Sequence, residues 1–232
     1  MDLNCWIAMT AAEFSRANTL PNKLGWLSCH FSSKDTGLSN LPGKLPRNSL
    51  LILDDSVPPN GHDLKQITYQ LNKAVEDFSA AAVLLDFQVP DVAETAVITQ
   101  QLITALPCPV CVAAPYAGNL SCPVLVPGPA PHASLKDHLA PWKNREIWLE
   151  ILLEAERITV TEQGSTINNM PFFAPNKDYL TDKNLNCRYQ VRTFSDRAEF
   201  TLVRDWVMAE SLLKQALSMG VRCGVGLYQQ LG

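Results

Sequence analysis

The chain has 232 residues, 47% of them hydrophobic and 18% charged, with a formal net charge of −4. This is ordinary globular chemistry with enough apolar material for a sizeable core, and it fits one large domain or two small ones, (β/α) barrels running to about 250 residues as one domain. The acidic balance and the lack of a Lys/Arg run exclude a general nucleic-acid binder. No apolar run reaches the ~18 residues that span a membrane, and Met1-Asp2-Leu3-Asn4-Cys5-Trp6 lacks the basic start and apolar stretch of a signal peptide, so a cytoplasmic location is expected.

In chain order, the N-terminal part is the hardest to read. Cys5–Met9 and Trp26–Phe31 are apolar enough for strands, whereas Ser32 to Asn48 contains Gly, Pro, Ser and Asn but no convincing helix. Ser49–Asp55 is a short apolar run ending in polar residues, the pattern of a buried parallel strand, and Pro58-Pro59-Asn60-Gly61 breaks it. From His62 to Phe78 the residues Leu64, Ile67, Leu71, Val75 and Phe78 recur every three or four positions, which predicts a helix. Ala82–Phe87 is the next strand. A second helix is expected from about Asp91, as its N-cap, to Leu106, followed by a strand over Val110–Ala114. Strand, helix, strand, helix, strand is the signature of a parallel sheet with crossover helices on one side.

Val124–Val126 is a weaker strand between Pro123 and Pro127, His132–Trp142 a short helix, and Glu146–Ile151 another strand. The pattern then changes to period two. Arg157–Thr161 and Thr166–Ile167 form one hairpin, and Arg188–Phe194 and Glu199–Val203 a second, turning at Ser195-Asp196-Arg197, with one face exposed. Met170 to Asn186 reads as a loop. A helix from Trp206 to Met219, capped by Gly220, leads into a last strand, Arg222–Tyr228. Counting the two N-terminal strands gives eight. The expected fold class is α/β: an irregular, short (β/α)8 TIM-type barrel forming one domain over 1–232, with a β-hairpin insertion after strand 7 at about 154–204. Without the two N-terminal strands the same text describes an open doubly wound sheet.

The seven cysteines are Cys5, Cys29, Cys108, Cys111, Cys122, Cys187 and Cys223. The count is odd and most sit in strand-like text, so buried reduced thiols are expected. Cys108-Pro109-Val110-Cys111 has redox or zinc spacing, but it opens a strand, and no second ligand pair stands at matching spacing. His132 and His138 lie six apart and do not share a helix face. The sequence also lacks a Gly-rich phosphate loop and a Gly-x-Ser-x-Gly elbow. No metal or cofactor is expected.

Barrel chemistry sits at the C-terminal ends of the strands. That rule selects His30, Asp54, Asp55, Asp86, Gln88, Tyr116, Tyr228 and Gln229. Asp54 and Asp86 end neighbouring strands, and a close carboxylate pair raises one pKa and makes an acid. The plainer assignment is that each caps the following turn or helix. His30 is a base, a ligand or a structural histidine. Trp6, Trp26, Trp148 and Tyr228 either stack on sugar faces or pack the core.

Three stretches of this text resemble the chitinase-like family of glycoside hydrolases, family eighteen. Leu64 to Phe87 resembles that family's third helix running into its fourth, catalytic strand, Ala114-Pro115-Tyr116 the end of its fifth, and Gly224-Val225-Gly226-Leu227-Tyr228 its eighth, where an aromatic floors the sugar site. The β-rich insertion is similar in placement, and the likeness covers about Leu50 to Gly232. It implies a sugar-binding cleft at the strand ends. The family ends its catalytic strand with Asp-x-Asp-x-Glu; here the text is Leu84-Leu85-Asp86-Phe87-Gln88. Gln88 stands in place of the general acid and an amide cannot supply that proton; the first Asp is Leu84. Only Asp86, which in the family orients the substrate's acetamido group, remains. The resemblance therefore implies a barrel that has lost glycosidase activity and binds an oligosaccharide or related ligand. Two other readings stay open. One is an active hydrolase using Asp54 or Asp86 as acid/base. The other is an interaction scaffold that docks a protein partner through the hairpin insertion, since exposed strand edges invite partners.

Overall fold

The computed structural model describes residues 4–90 and 92–231. The chain separates into two compact units, Met1–Val126 with Arg145–Glu150 and Arg222–Gly232, and Pro127–Asn144 with Ile151–Val221.

The first unit begins with β1 (Cys5–Met9), α1 (Ala11–Arg16), β2 (Leu24–Phe31), the short β3 (Leu38–Ser39) and β4 (Leu50–Asp54). It continues through α2 (Leu64–Phe78), β5 (Ala82–Asp86), α3 (Ala93–Ala105), β6 (Val110–Ala113), α4 (Ala114–Ala117), β7 (Val124–Val126) and β8 (Ile147–Ile151). The second unit supplies α5 (Leu135–Leu139) with a 3-10 turn at Ala140–Trp142, then β9 (Glu154–Thr161), β10 (Gly164–Met170), β11 (Leu180–Asp182), β12 (Cys187–Thr193), β13 (Arg197–Arg204) and α6 (Trp206–Ser218). The chain returns to the first unit for β14 (Cys223–Leu227) and α7 (Tyr228–Leu231).

The first sheet runs β1-β14-β8-β7-β6-β5-β4-β2-β3, and an added β1–β2 pairing closes it. Leaving aside β3, an antiparallel flank on β2, the closed barrel is parallel and eight-stranded. Its strands read as continuous apolar runs because both faces are buried. Facing inward, Trp6, Ala8, Leu50, Ile52, Leu84, Cys111, Leu125, Trp148 and Val225 pack as one cluster. Facing outward, Leu51, Leu53, Val83, Leu85 and Val112 pack with Ile67 and Leu71 of α2 and Ile98 and Leu102 of α3. Gly25 sits where β1, β2 and β4 converge: a Cβ there would meet Ile52 Cδ1 at 3.2 Å and Ala8 Cα at 3.3 Å.

Trp6 and Trp148 fill the lumen and Trp26 packs outside it, donating its Nε1–H to Asn40 O at 2.9 Å, so these three tryptophans belong to the core. The expected helices at 62–78 and 206–219 form, capped by Asp63 and Asp205, with Gly220 at φ 94° after α6. The expected cap Asp91 lies outside the described residues. Several expectations change, beginning with Ala114, expected in a strand, which starts α4. The stretch 170–186, read as a loop, contains β11, antiparallel to β12; three residues are too few to show a period. Tyr228, read as the end of the last strand, starts α7 instead. α1 was not foreseen, although Thr10 and Glu13 form a reciprocal capping box.

In the second unit the sheet order is β10-β9-β13-β12-β11, all antiparallel. Alternation places Glu156, Ile158, Val160, Tyr189, Val191, Phe200 and Leu202 on one face and Arg157, Thr159, Gln190, Arg192, Glu199 and Thr201 on the other. Arg204 is buried and donates to the carbonyls of Pro129, Ala130, Leu185 and Asn186 and to Glu154 at 3.1 Å. Among the described residues no helix is long and apolar enough to cross a membrane.

Candidate active site

The barrel rim is built by strands that end in polar residues. Leu50 and Ile52 face the lumen, so alternation turns Asp54 the same way; Leu84 and Asp86 follow the same rule on β5. The register pairs Asp54 with Asp86 across β4 and β5, and His30 with Asp54 across β2 and β4. A shift between Trp26 and Cys29 in the β2 register is what sets His30 level with the two acids. Three of the predicted residues therefore stand side by side in one layer.

Gln88 completes this row, with its Nε2–H donated to Asp86 Oδ1. The loop carrying Gln88 is fixed from beneath. Asp55, one residue beyond Asp54, faces the other way, and its two carboxylate oxygens accept the backbone N–H of Gln88 at 3.0 Å and of Val89 at 2.9 Å. The Tyr116 hydroxyl donates to Val89 O and accepts from Val92 N at 3.1 Å, while its ring stands edge-on to Phe87 at 6.2 Å. Asp55 and Tyr116, selected by their place at strand ends, thus hold the loop that holds Gln88. Asp54 Oδ1 accepts the N–H of Ser56 at 2.9 Å, so it caps a turn as well as facing the rim.

Tyr228 and Gln229 do not join this row. β14 turns Val225 and Leu227 inward, opposite Trp6 and Ala8 of β1. Tyr228, one residue further, packs against the outer cluster, and Gln229 is exposed on α7. The wall where an aromatic was expected is lined by Leu227.

Sequence reasoning missed one member. A cavity of about 30 Å3 at the rim is lined by Leu27, Leu84, Asp86, Leu227 and Glu150. Glu150 follows the inward Trp148 by two positions on β8 and lies one residue before the end of its strand, near the level at which Asp54 and Asp86 end theirs. The signal was the alternation Trp148-Leu149-Glu150.

Burial pushes the Asp86 carboxyl above its ordinary value. The Gln88 hydrogen bond opposes this, and the charges of Asp54 and Asp55 add to it. The cavity beside this carboxyl, however, is about the share of liquid volume of one water molecule, too small to enclose a sugar ring. Among the described residues no cluster of three His, Cys, Asp or Glu could hold a metal ion. Cys111 faces the lumen and Cys108 packs against the outer cluster; burial raises both thiols.

No protein-family model and no curated protein matches the sequence. Solved structures do match its fold. The chain resembles the spore cortex-lytic enzyme SleL of Bacillus megaterium at 11% identity and a TM-score of 0.57, covering 98% of this chain and 70% of that one. It resembles the family GH18 chitinase of Cycas revoluta, solved with allosamidin, at 10% identity and a TM-score of 0.57, covering 97% and 94%. The class V chitinase of Nicotiana tobaccum gives 10% identity and 0.57, covering 96% and 92%. The fold is therefore that of the chitinase-like barrels, in a degenerate form.

Proposed function

We propose that the strand-end rim binds an oligosaccharide and no longer hydrolyses it. One observation carries this reading. The side chain in the general acid's place, Gln88, is an amide, and it donates to Asp86 across the rim. The family's proton donor is thereby replaced by a group that cannot give up a proton, while the hydrogen-bonding surface of His30, Asp54, Asp86 and Gln88 is kept. The glycan class is supported by one neighbour: the GH18 chitinase of Cycas revoluta, of the same fold, was solved with allosamidin and, as a mutant, with (GlcNAc)4.

The test is a thermal-shift titration with chitin, peptidoglycan and plant-glycan oligosaccharides. A ligand at a hundred times its Kd adds about 2.7 kcal/mol, or roughly 5–10 °C for a chain of this size. Asp86→Ala is expected to abolish the shift. No shift across the panel overturns the reading.

A second reading is an active hydrolase with Asp86 as the acid. The raised Asp86 carboxyl and the presence of Glu150 in the same cavity favour it. Turnover by the native chain that Asp86→Asn abolishes would establish it in place of the first. Under the first reading the native chain is inert, and Gln88→Glu restores measurable cleavage.

A further inference from the structure

The second unit carries a pocket on the apolar face of its sheet. This pocket, of about 330 Å3, is floored by Ile158, Tyr189, Phe200 and Leu202 and flanked by Leu185 and His132. Ligand sites begin at about 300 Å3, and an apolar cavity of about 150 Å3 already takes benzene. The volume therefore suits a compound of one or two rings.

Its polar edge is specified by the exposed His132 and a carboxylate behind it. Glu156 is almost wholly buried, and both its carboxylate oxygens lie 2.9 Å from His132 Nδ1. A carboxylate only accepts, so Nδ1 carries the proton and the ring is fixed in one tautomer. In the neutral ring that leaves Nε2 as an acceptor. Nε2 has no partner among the described residues, and His132 lines the pocket. The charge around it selects further. Asp182 stands at the same pocket, its Oδ1 accepting the N–H of Asn184 at 2.8 Å and of Leu185 at 3.1 Å. With Glu156 behind the ring, the pocket carries two carboxylates, which disfavours an anion.

We infer that this pocket is a second ligand site, one that takes a neutral hydroxylated ring compound, with the ring on Tyr189, Phe200 and Leu202 and the hydroxyl donated to His132 Nε2. The site is independent of the reading of the barrel rim.

The experiment is a titration of the isotope-labelled full chain, followed by amide and histidine-ring NMR, with p-cresol, toluene and p-toluate. Saturable shifts are expected at Ile158, Tyr189, Phe200, Leu202 and the His132 ring, with p-cresol binding at least threefold tighter than either other probe. His132→Lys keeps an N–H donor for Glu156 but offers no acceptor, and is expected to bring p-cresol down to the level of toluene. Toluene binding as tightly as p-cresol, p-toluate binding tighter, or no saturable shift overturns the inference. Should His132→Lys fail to fold, the ranking of the three probes on the native chain decides alone.

Discussion

The two units use the same alternation of side chains and reach opposite ends. In the barrel the sheet closes on itself, so one face fills the lumen, the other packs against helices, and the strands read as unbroken apolar text. In the insertion the sheet stays open. One face is polar, and the other exposes Val160, Ile167, Leu180 and Val191. Closure leaves a rim cavity of about 30 Å3, while the open sheet leaves one of about 330 Å3. At the barrel's rim the space is thus the smaller of these two, and on the open sheet the larger. Fold resemblance and binding capacity are separate properties here.

The contrast can be broken most strongly at Arg204. Arg204→Met leaves Glu154 and several buried carbonyls without their donor, and is expected to cost about 3–5 kcal/mol in chemical denaturation. If the units are energetically separate, the loss falls on amides of the insertion while hydrogen exchange in β4 and β5 keeps its protection. Leu84→Ala makes the reciprocal test in the lumen. It is expected to cost about 2–5 kcal/mol, and barrel amides rather than insertion amides should lose protection.

A smaller change, Asp55→Asn, weakens two charge-assisted hydrogen bonds under the Gln88 loop. It is expected to cost about 1–3 kcal/mol and to raise the mobility of Gln88 and Val89 in relaxation measurements. Asp86→Asn acts in the other direction. A carboxyl raised in the folded state contributes stability below its unfolded value of 3.8, and loses that contribution as pH climbs through the folded value. At pH 7 the ionised group is a burden, so the variant is expected to melt higher than the native chain, with the gap closing below pH 3.8. The smallest effect belongs to the exposed insertion face, where Ile167→Thr is expected to move stability by no more than about 0.5 kcal/mol.

The barrel was legible where physics is redundant. Leu50–Asp54, Ala82–Asp86 and the α2 period announce themselves because burial on two faces demands continuous apolar residues and a helix needs its stripe. The hairpins were legible because one face is wet. Legibility failed where one residue of offset decides which face is shown. Tyr228 reads as the end of the last strand, either on a sugar face or in the core, yet the strand ends at Leu227 and the tyrosine packs against the outer cluster. Asp54 and Asp55 looked alike at a strand end, but one faces the rim and the other clamps a backbone loop. Glu150 was overlooked on a strand whose inward tryptophan already fixed its direction. His30 depends on the β2 irregularity, which no periodic pattern announces.

The barrel's seam has a consequence for synthesis. β1 is bordered on one side by β2, which follows it closely, and on the other by β14, with Cys5 opposite Gly224. During translation one flank of β1 stays open until nearly all of the chain described here has left the ribosome, and every intermediate before that point is an unfinished ring with two bare borders. Such long-range closure is slow, and bare borders recruit other chains. The nascent protein is therefore most exposed to misassembly late in its production, and a chaperone that shields strand borders would act on it over that interval.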